Sequence, residues 1–132
     1  MTRRIRVLLV DDAATVRRLV AEAIADDPAL EVAGTAAHGQ MGLERIEELH
    51  PDVVLLDLEM PVMNGLDCLR RLRADSATEN LPVMMVTTES EMAQVALALD
   101  AGANEYLMKP FDRQALLEKL LLIGLDPGRQ AA

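Results

Sequence analysis

The sequence predicts a doubly wound α/β fold built on a parallel sheet, and three observations carry the prediction. Short aliphatic runs alternate five times with stretches whose apolar residues recur at helical spacing. One run, Val53-Val54-Leu55-Leu56, is continuously aliphatic and follows Pro51, the pattern of a strand buried on both faces. Polar, chemically capable side chains stand directly after the runs, where open α/β sheets gather their ligands. Such alternation implies helices on both faces of the sheet, and right-handed crossovers leave few topologies.

Taken in order, Ile5 to Val10 reads as a largely buried strand followed at once by Asp11-Asp12. From Thr15 to about Ala25, the residues Val16, Leu19, Val20, Ala23 and Ile24 mark the inner face of a helix that stops near Asp27-Pro28. Leu30 to Ala36 is a weaker strand. Gly39 opens a second helix through Met41, Leu43, Ile46 and Leu49, and His50-Pro51 ends it. The central strand then runs to Asp57, with Met60-Pro61 and the turn pair Asn64-Gly65 beyond it.

Gly65 to Arg73 forms the third helix, with Leu66, Leu69 and Leu72 inside and Arg70, Arg71 and Arg73 outside. Pro82 to Val86 is the fourth strand, ending at Thr87-Thr88. Glu91 to Ala101 is the fourth helix, with Met92, Val95, Ala96 and Leu99 on one face and Gly102 as a left-handed cap. Glu105 to Met108 is a short fifth strand that ends at Lys109-Pro110. Arg113 to Ile123 is the last helix, capped by Gly124, and Asp126-Pro127-Gly128 turns the chain into a brief tail. A single domain over residues 1–124, with a short tail at 125–132, is expected.

Composition bounds the function. At 132 residues, 51% hydrophobic and 27% charged, the chain belongs with globular proteins. Its formal net charge of −9 argues against nucleic acid and for a cation or a basic protein surface. The single cysteine, Cys68, excludes an internal disulfide and reads as a small apolar helix residue. No targeting segment and no apolar run of membrane-spanning length is evident, so no membrane partner and a cytoplasmic location are expected.

The strand ends carry Asp11-Asp12, Asp57, Thr87-Thr88 and Lys109-Pro110, whereas the second strand offers only Thr35 and His38. Each has a plain reading. Asp12 suits the N-cap of the first helix, Thr87 a strand terminus and Lys109 a solvated loop. Taken together, Asp11-Asp12, Asp57, Met60-Pro61 with Gly65, Thr87 and Lys109-Pro110 resemble the signature of response-regulator receiver domains, over about Ile5 to Ile123.

The resemblance implies a flavodoxin-like (βα)5 sheet of order 2-1-3-4-5, which places the four polar strand ends on one rim. Three carboxylates so close raise one another's pKa, and a divalent cation relieves that repulsion. An all-oxygen site without a His/Cys cluster suits Mg2+. With Lys109 and a hydroxyl alongside, such a rim suits phosphoryl transfer to a carboxylate. The resemblance further implies that Asp57 is the phosphoacceptor, loaded by a sensor histidine kinase. Asp12 and Asp57 would bind Mg2+ directly, with the backbone carbonyl of Glu59, and Asp11 mainly through water. Thr87 would hydrogen-bond the phosphoryl group, Lys109 would pair with it, and Lys109-Pro110 would be cis.

Phosphorylation would then draw Thr87 and Lys109 inward and let the aromatic at Tyr106 turn into the space that Thr87 leaves; the plain reading of Tyr106 is a half-buried sheet aromatic. Leu116, Leu117, Leu120, Leu121, Leu122 and Ile123 give the last helix more apolar surface than one core contact needs. A partner surface over the fourth helix, fifth strand and fifth helix is therefore expected, with tight packing as the other reading.

Within the family, the length and the run Asn104 to Phe111 most resemble stand-alone CheY-type chemotaxis regulators, which signal to the flagellar motor switch. Asp57 to Leu66 also resembles the receiver half of chemotaxis methylesterases. The chain is expected to be a monomeric signalling receiver and not an enzyme, although self-phosphorylation from small donors and autodephosphorylation fit the chemistry. A phosphate sink or scaffold in another two-component pathway is the second reading. An aspartate-nucleophile phosphatase is the third, disfavoured because the acidic pair precedes Asp57 and no substrate cap is evident. Glu59 departs from the asparagine common there. Its acid is expected to crowd the metal and attacking water, or to pair with Lys109, and so to alter dephosphorylation.

Overall fold

The chain's computed structural model describes residues 3–126. Five strands, β1 (Ile5–Val10), β2 (Leu30–Ala36), β3 (Val53–Asp57), β4 (Val83–Thr87) and β5 (Glu105–Met108), form one sheet in the order β2-β1-β3-β4-β5. Every pairing is parallel. Five helices connect and cover it: α1 (Ala14–Ala25), α2 (Gly39–Leu49), α3 (Gly65–Ala74), α4 (Met92–Asp100) and α5 (Arg113–Leu122), with a one-turn 3-10 helix at Glu89–Glu91. The flavodoxin-like architecture and its order are as expected.

All five residues of β3 are buried because helices lie over both faces of the sheet. Side chains alternate along each strand, so the faces have separate cores. Leu8, Val10, Val54, Leu56 and Met85 meet α2, α3 and α4 through Ile46, Leu69, Leu72 and Val95. Val7, Leu9, Leu55, Met84 and Val86 meet α1 and α5 through Ile24, Leu116 and Leu120. Each fully buried leucine contributes about 2 kcal/mol relative to exposure. With one Tyr and one Phe in the chain, aliphatics and methionine supply this packing.

Several helix faces differ from the periodic reading. Leu19 is 57% exposed, because α1 is rotated to set Val20, Ala21 and Ile24 against the sheet. On α4 the buried residues are Val95 and Ala98, while Leu97 and Leu99 lie outside. Arg73 points along the surface rather than away from it. Its guanidinium donates to Gly102 O at 2.9 Å, Thr78 O at 3.1 Å and Asn104 Oδ1 at 3.0 Å, tying α3 to the α4–β5 loop.

Arg6, from β1, donates to the carbonyls of Leu49 and His50 at the end of α2, where His50 takes the left-handed conformation. Gly102 and Gly124 have positive φ after α4 and α5, as expected of caps. Leu125, the first residue of the expected tail, packs beside α5, and its N–H donates to Leu120 O at 2.8 Å. The turn residues Pro127 and Gly128 lie outside the described residues.

Candidate functional site

The parallel sheet sets the C-terminal ends of β1, β3, β4 and β5 side by side, and the expected polar side chains gather there. Asp57 closes β3 opposite Val86, one residue before the end of β4, and Thr87 stands opposite Met108, the residue before Lys109. The Lys109 N–H donates to Thr87 O at 2.6 Å, and the Lys109–Pro110 bond is cis. Lys109 Nζ lies 3.0 Å from Asp57 Oδ1 and 3.3 Å from Asp11 Oδ2.

Asp11, Asp12 and Asp57 each turn a carboxylate oxygen toward the others, all within 4.8 Å. Asp11 and Asp57 are buried, whereas Asp12 is exposed at the mouth. Three carboxylates thus face one ammonium. Asp57 Oδ1 is buried without a hydrogen bond; Lys109 meets it at ion-pair distance but off the line that a hydrogen bond requires.

The electrostatics follow from this crowding. Burial pushes the Asp57 carboxyl from 3.8 up to about 6; Lys109 opposes the rise and Asp11 adds to it. Burial alone would lower the Lys109 pKa, but contact with Asp57 and Asp11 outweighs it and holds the ammonium above its ordinary value. A buried carboxylate oxygen without a hydrogen bond, and hard oxygen donors in charge surplus, fit a small divalent cation such as Mg2+.

Local structure explains how these groups are held. Asp12 does not cap α1. Ala13 occupies the N-cap position, and Asp11 Oδ1 accepts the Ala13 N–H at 2.9 Å, closing a tight turn that aims the carboxylates at β3. Arg17 donates to the Asp11 carbonyl. Gly65 opens α3 so close to β3 that an added Cβ would lie 2.1 Å from the Asp57 carbonyl oxygen. Gly39 similarly admits the β3–α3 loop: its N–H donates to Met63 O at 3.0 Å, and an added Cβ would lie 2.7 Å from that oxygen.

Glu59, exposed in that loop, does not pair with Lys109. Its carboxylate accepts from Gln94 Nε2 at 3.2 Å, because Lys109 is already engaged by Asp11 and Asp57. Thr87 is fully buried and donates its hydroxyl to the Thr88 carbonyl at 3.1 Å. Tyr106 is half-buried on the edge strand, with Lys119 Nζ 4.4 Å from its ring centroid. Sequence reasoning missed the capping box in which Thr88 and Glu91 satisfy each other's backbone beside the site, although its T-x-x-E pattern was readable. It also missed the Glu59–Gln94 contact, for which no short pattern exists.

His38 and His50 take no part: His38 Nδ1 accepts the Met41 N–H at the start of α2, and His50 ends that helix. Cys68 is buried on α3 and its thiol is pushed up to about 12 by burial, which makes it inert. A cleft of about 570 Å3 is lined in part by Glu47, His50, Arg71 and Asp75. It opens at the opposite end of the sheet from the three carboxylates.

Comparison with known proteins agrees with this geometry. The family model described as the response regulator receiver domain matches residues 7–121. A protein-glutamate methylesterase/protein-glutamine glutaminase of Nocardioides sp. is 43% identical over 80% of this chain, a stretch that makes up 29% of that protein. The chain thus spans less than a third of that enzyme's length. Chemotaxis protein CheY1 of Helicobacter pylori is 38% identical, over 89% of this chain and 95% of that one. The solved structure of Vibrio cholerae chemotaxis protein CheY4 superposes with a TM-score of 0.81 at 32% identity, covering 91% of this chain and 98% of that one.

Proposed function

The chain belongs to the response-regulator receiver family of two-component signalling, and from that premise we propose that Asp57 accepts a phosphoryl group from a histidine kinase. The carrying observation is the buried Asp57 Oδ1 at the end of β3, without a hydrogen bond and 3.0 Å from Lys109 Nζ. In the transfer, an Asp57 oxygen forms a bond to phosphorus as the nitrogen–phosphorus bond of the kinase phosphohistidine breaks, leaving the imidazole to take up a proton. Mg2+ held by Asp12 and Asp57 and the Glu59 backbone carbonyl, with Asp11 acting through water, would neutralise phosphoryl oxygen charge. Lys109 pairs with the transferred group, and Thr87 turns its hydroxyl from the Thr88 carbonyl to a phosphoryl oxygen. Tyr106, diagonal to Thr87 across β4 and β5, follows that turn.

We assign the pathway to chemotaxis, with the flagellar motor switch as the partner of the α4-β5-α5 face. The near full-length match to the Helicobacter CheY1 protein and the exposed Leu97, Leu99, Met108, Leu121 and Leu122 support this reading. Residues 1–124 would act as one monomeric, cytoplasmic receiver, with 125–132 as its tail. No helix among the described residues is long and apolar enough to cross a membrane. The protein would not be an enzyme: the phosphoryl group is a signal carried on Asp57, self-phosphorylation and autodephosphorylation included.

The test is phosphotransfer. A histidine kinase labelled on its phosphohistidine should pass label to the wild type in Mg2+ and not to Asp57→Asn; retention of label by the kinase would overturn the reading. Pull-down of motor-switch protein, before and after phosphorylation, separates a motor regulator from a phosphate sink.

A further inference from the structure

We propose that Lys119 is a positioning residue that clamps the Tyr106 ring across the open edge of the sheet, so that the clamp must open when the phosphorylation site draws Thr87 inward. The proposal rests on the reading of Asp57 as phosphoacceptor for its second half only. β5 is the edge strand, and Tyr106 packs against the core on the α2–α3–α4 face. Lys119 belongs to α5, on the opposite face, where Leu116 and Leu120 are buried. Its side chain therefore reaches around the edge to set Nζ 4.4 Å from the Tyr106 ring centroid.

Glu105 completes the clamp. Its Oε1 accepts from Lys119 Nζ at 3.0 Å and from the Tyr106 N–H at 3.0 Å, so one carboxylate fixes both the ammonium and the backbone beneath the ring. Lys119 and Glu105 side chains are 27% and 21% exposed, sheltered enough for the contact to resist screening. Partial burial works to raise the Glu105 pKa, but Lys119 and the Tyr106 N–H outweigh it and hold the carboxyl below its ordinary range. The Glu105 carboxylate is therefore ionised near neutral pH.

The clamp touches the site through the sheet. Met85 pairs with Tyr106 and Thr87 with Met108, so Thr87 and Tyr106 lie on the same face as diagonal neighbours. A ring that moves toward Thr87 leaves the Lys119 ammonium. A cation over an aromatic face in a partly exposed setting biases such an equilibrium about two- to fivefold. By reciprocity, removing the cation should favour phosphoryl-analogue binding at Asp57 by the same factor.

The experiment compares wild type, Lys119→Met and Lys119→Arg, the first keeping the apolar stem without charge and the second keeping a cation. Tyr106 is the chain's single tyrosine, so its ring and χ1 signals in NMR are unambiguous. In the unphosphorylated protein, Lys119→Met should raise the minor χ1 population about two- to fivefold, and Lys119→Arg should restore it. Titration with beryllofluoride and Mg2+ should then show a midpoint lowered by about the same factor for Lys119→Met alone. Unchanged χ1 populations in Lys119→Met would overturn the clamp. Altered populations with an unchanged midpoint would overturn its link to the site. Failure of wild type to bind beryllofluoride would instead count against Asp57 as acceptor and end the proposed link, while the χ1 comparison still decides the clamp.

Discussion

Replacing Asp57 by Asn should make the metal-free fold more stable. The folded-state value of about 6 against 3.8 means that ionising Asp57 costs the native state about 3 kcal/mol at pH well above 6. Asparagine keeps the shape of the neutral acid and cannot ionise, and Lys109 retains Asp11 at 3.3 Å as a partner. A carboxyl raised in the folded state costs nothing while both states are protonated. The cost appears as pH rises through about 4 and is complete above about 6. Urea denaturation followed by far-ultraviolet circular dichroism should therefore place the Asp57→Asn midpoint about 1.5 M above wild type near pH 8, for an m-value of about 2 kcal/mol/M. Near pH 4 the two curves should nearly coincide. Saturating Mg2+ near pH 8 should close the gap, because the cation binds the folded wild type and stabilises it by mass action. Equal midpoints near pH 8 without Mg2+, or a gap that persists near pH 4, would refute the charge-crowding argument.

Other perturbations follow from the same geometry. Gly65→Ala drives a Cβ to 2.1 Å from the Asp57 carbonyl oxygen, so the backbone must shift. A loss of about 3 kcal/mol or more in urea denaturation is expected, and a wild-type midpoint would show that the α3 start has room. Lys109→Met leaves two buried carboxylates without their cation and should cost about 3 kcal/mol near pH 8 without Mg2+. Adding Asp57→Asn to it should recover part of that loss, and strict additivity in the double-mutant cycle would deny the coupling. Arg6→Ala strips the donor from the Leu49 and His50 carbonyls at the end of α2 and should lower stability by about 1–2 kcal/mol; no change in the denaturation midpoint would make that cap dispensable. Glu59→Asn should change the phosphoryl lifetime, read by the decay of labelled protein, and equal lifetimes would remove Glu59 from the mechanism.

The sheet was legible because its strands are short aliphatic runs, buried on both faces, and Val53 to Leu56 admits little else. The site was legible for a related reason: strand ends put Asp11, Asp57, Thr87 and Lys109 at predictable places, and the sheet order then joins them. Helix faces were harder. In α1 and α4 most positions are apolar or small, so spacing alone could not choose Ala98 over Leu99 or turn Leu19 outward. The directions of long polar side chains were not legible at all. Arg73 and Glu59 find partners on segments distant in sequence, Gly102, Asn104 and Gln94, which only the folded geometry brings near. Asp12 suits an N-cap by residue type, yet Asp11 takes the turn one residue earlier and leaves Asp12 at the mouth of the site.

Asp57 should become an acyl phosphate with the help of a bound divalent cation. Intact mass after incubation with a small acyl-phosphate donor tests it most directly, and mass is the natural probe in a chain without tryptophan. One added phosphoryl group, about 80 Da from the chemistry of phosphorylation, should appear on wild type in Mg2+, and none on Asp57→Asn or in the presence of a chelator. No addition to wild type, or equal addition to Asp57→Asn, would contradict it.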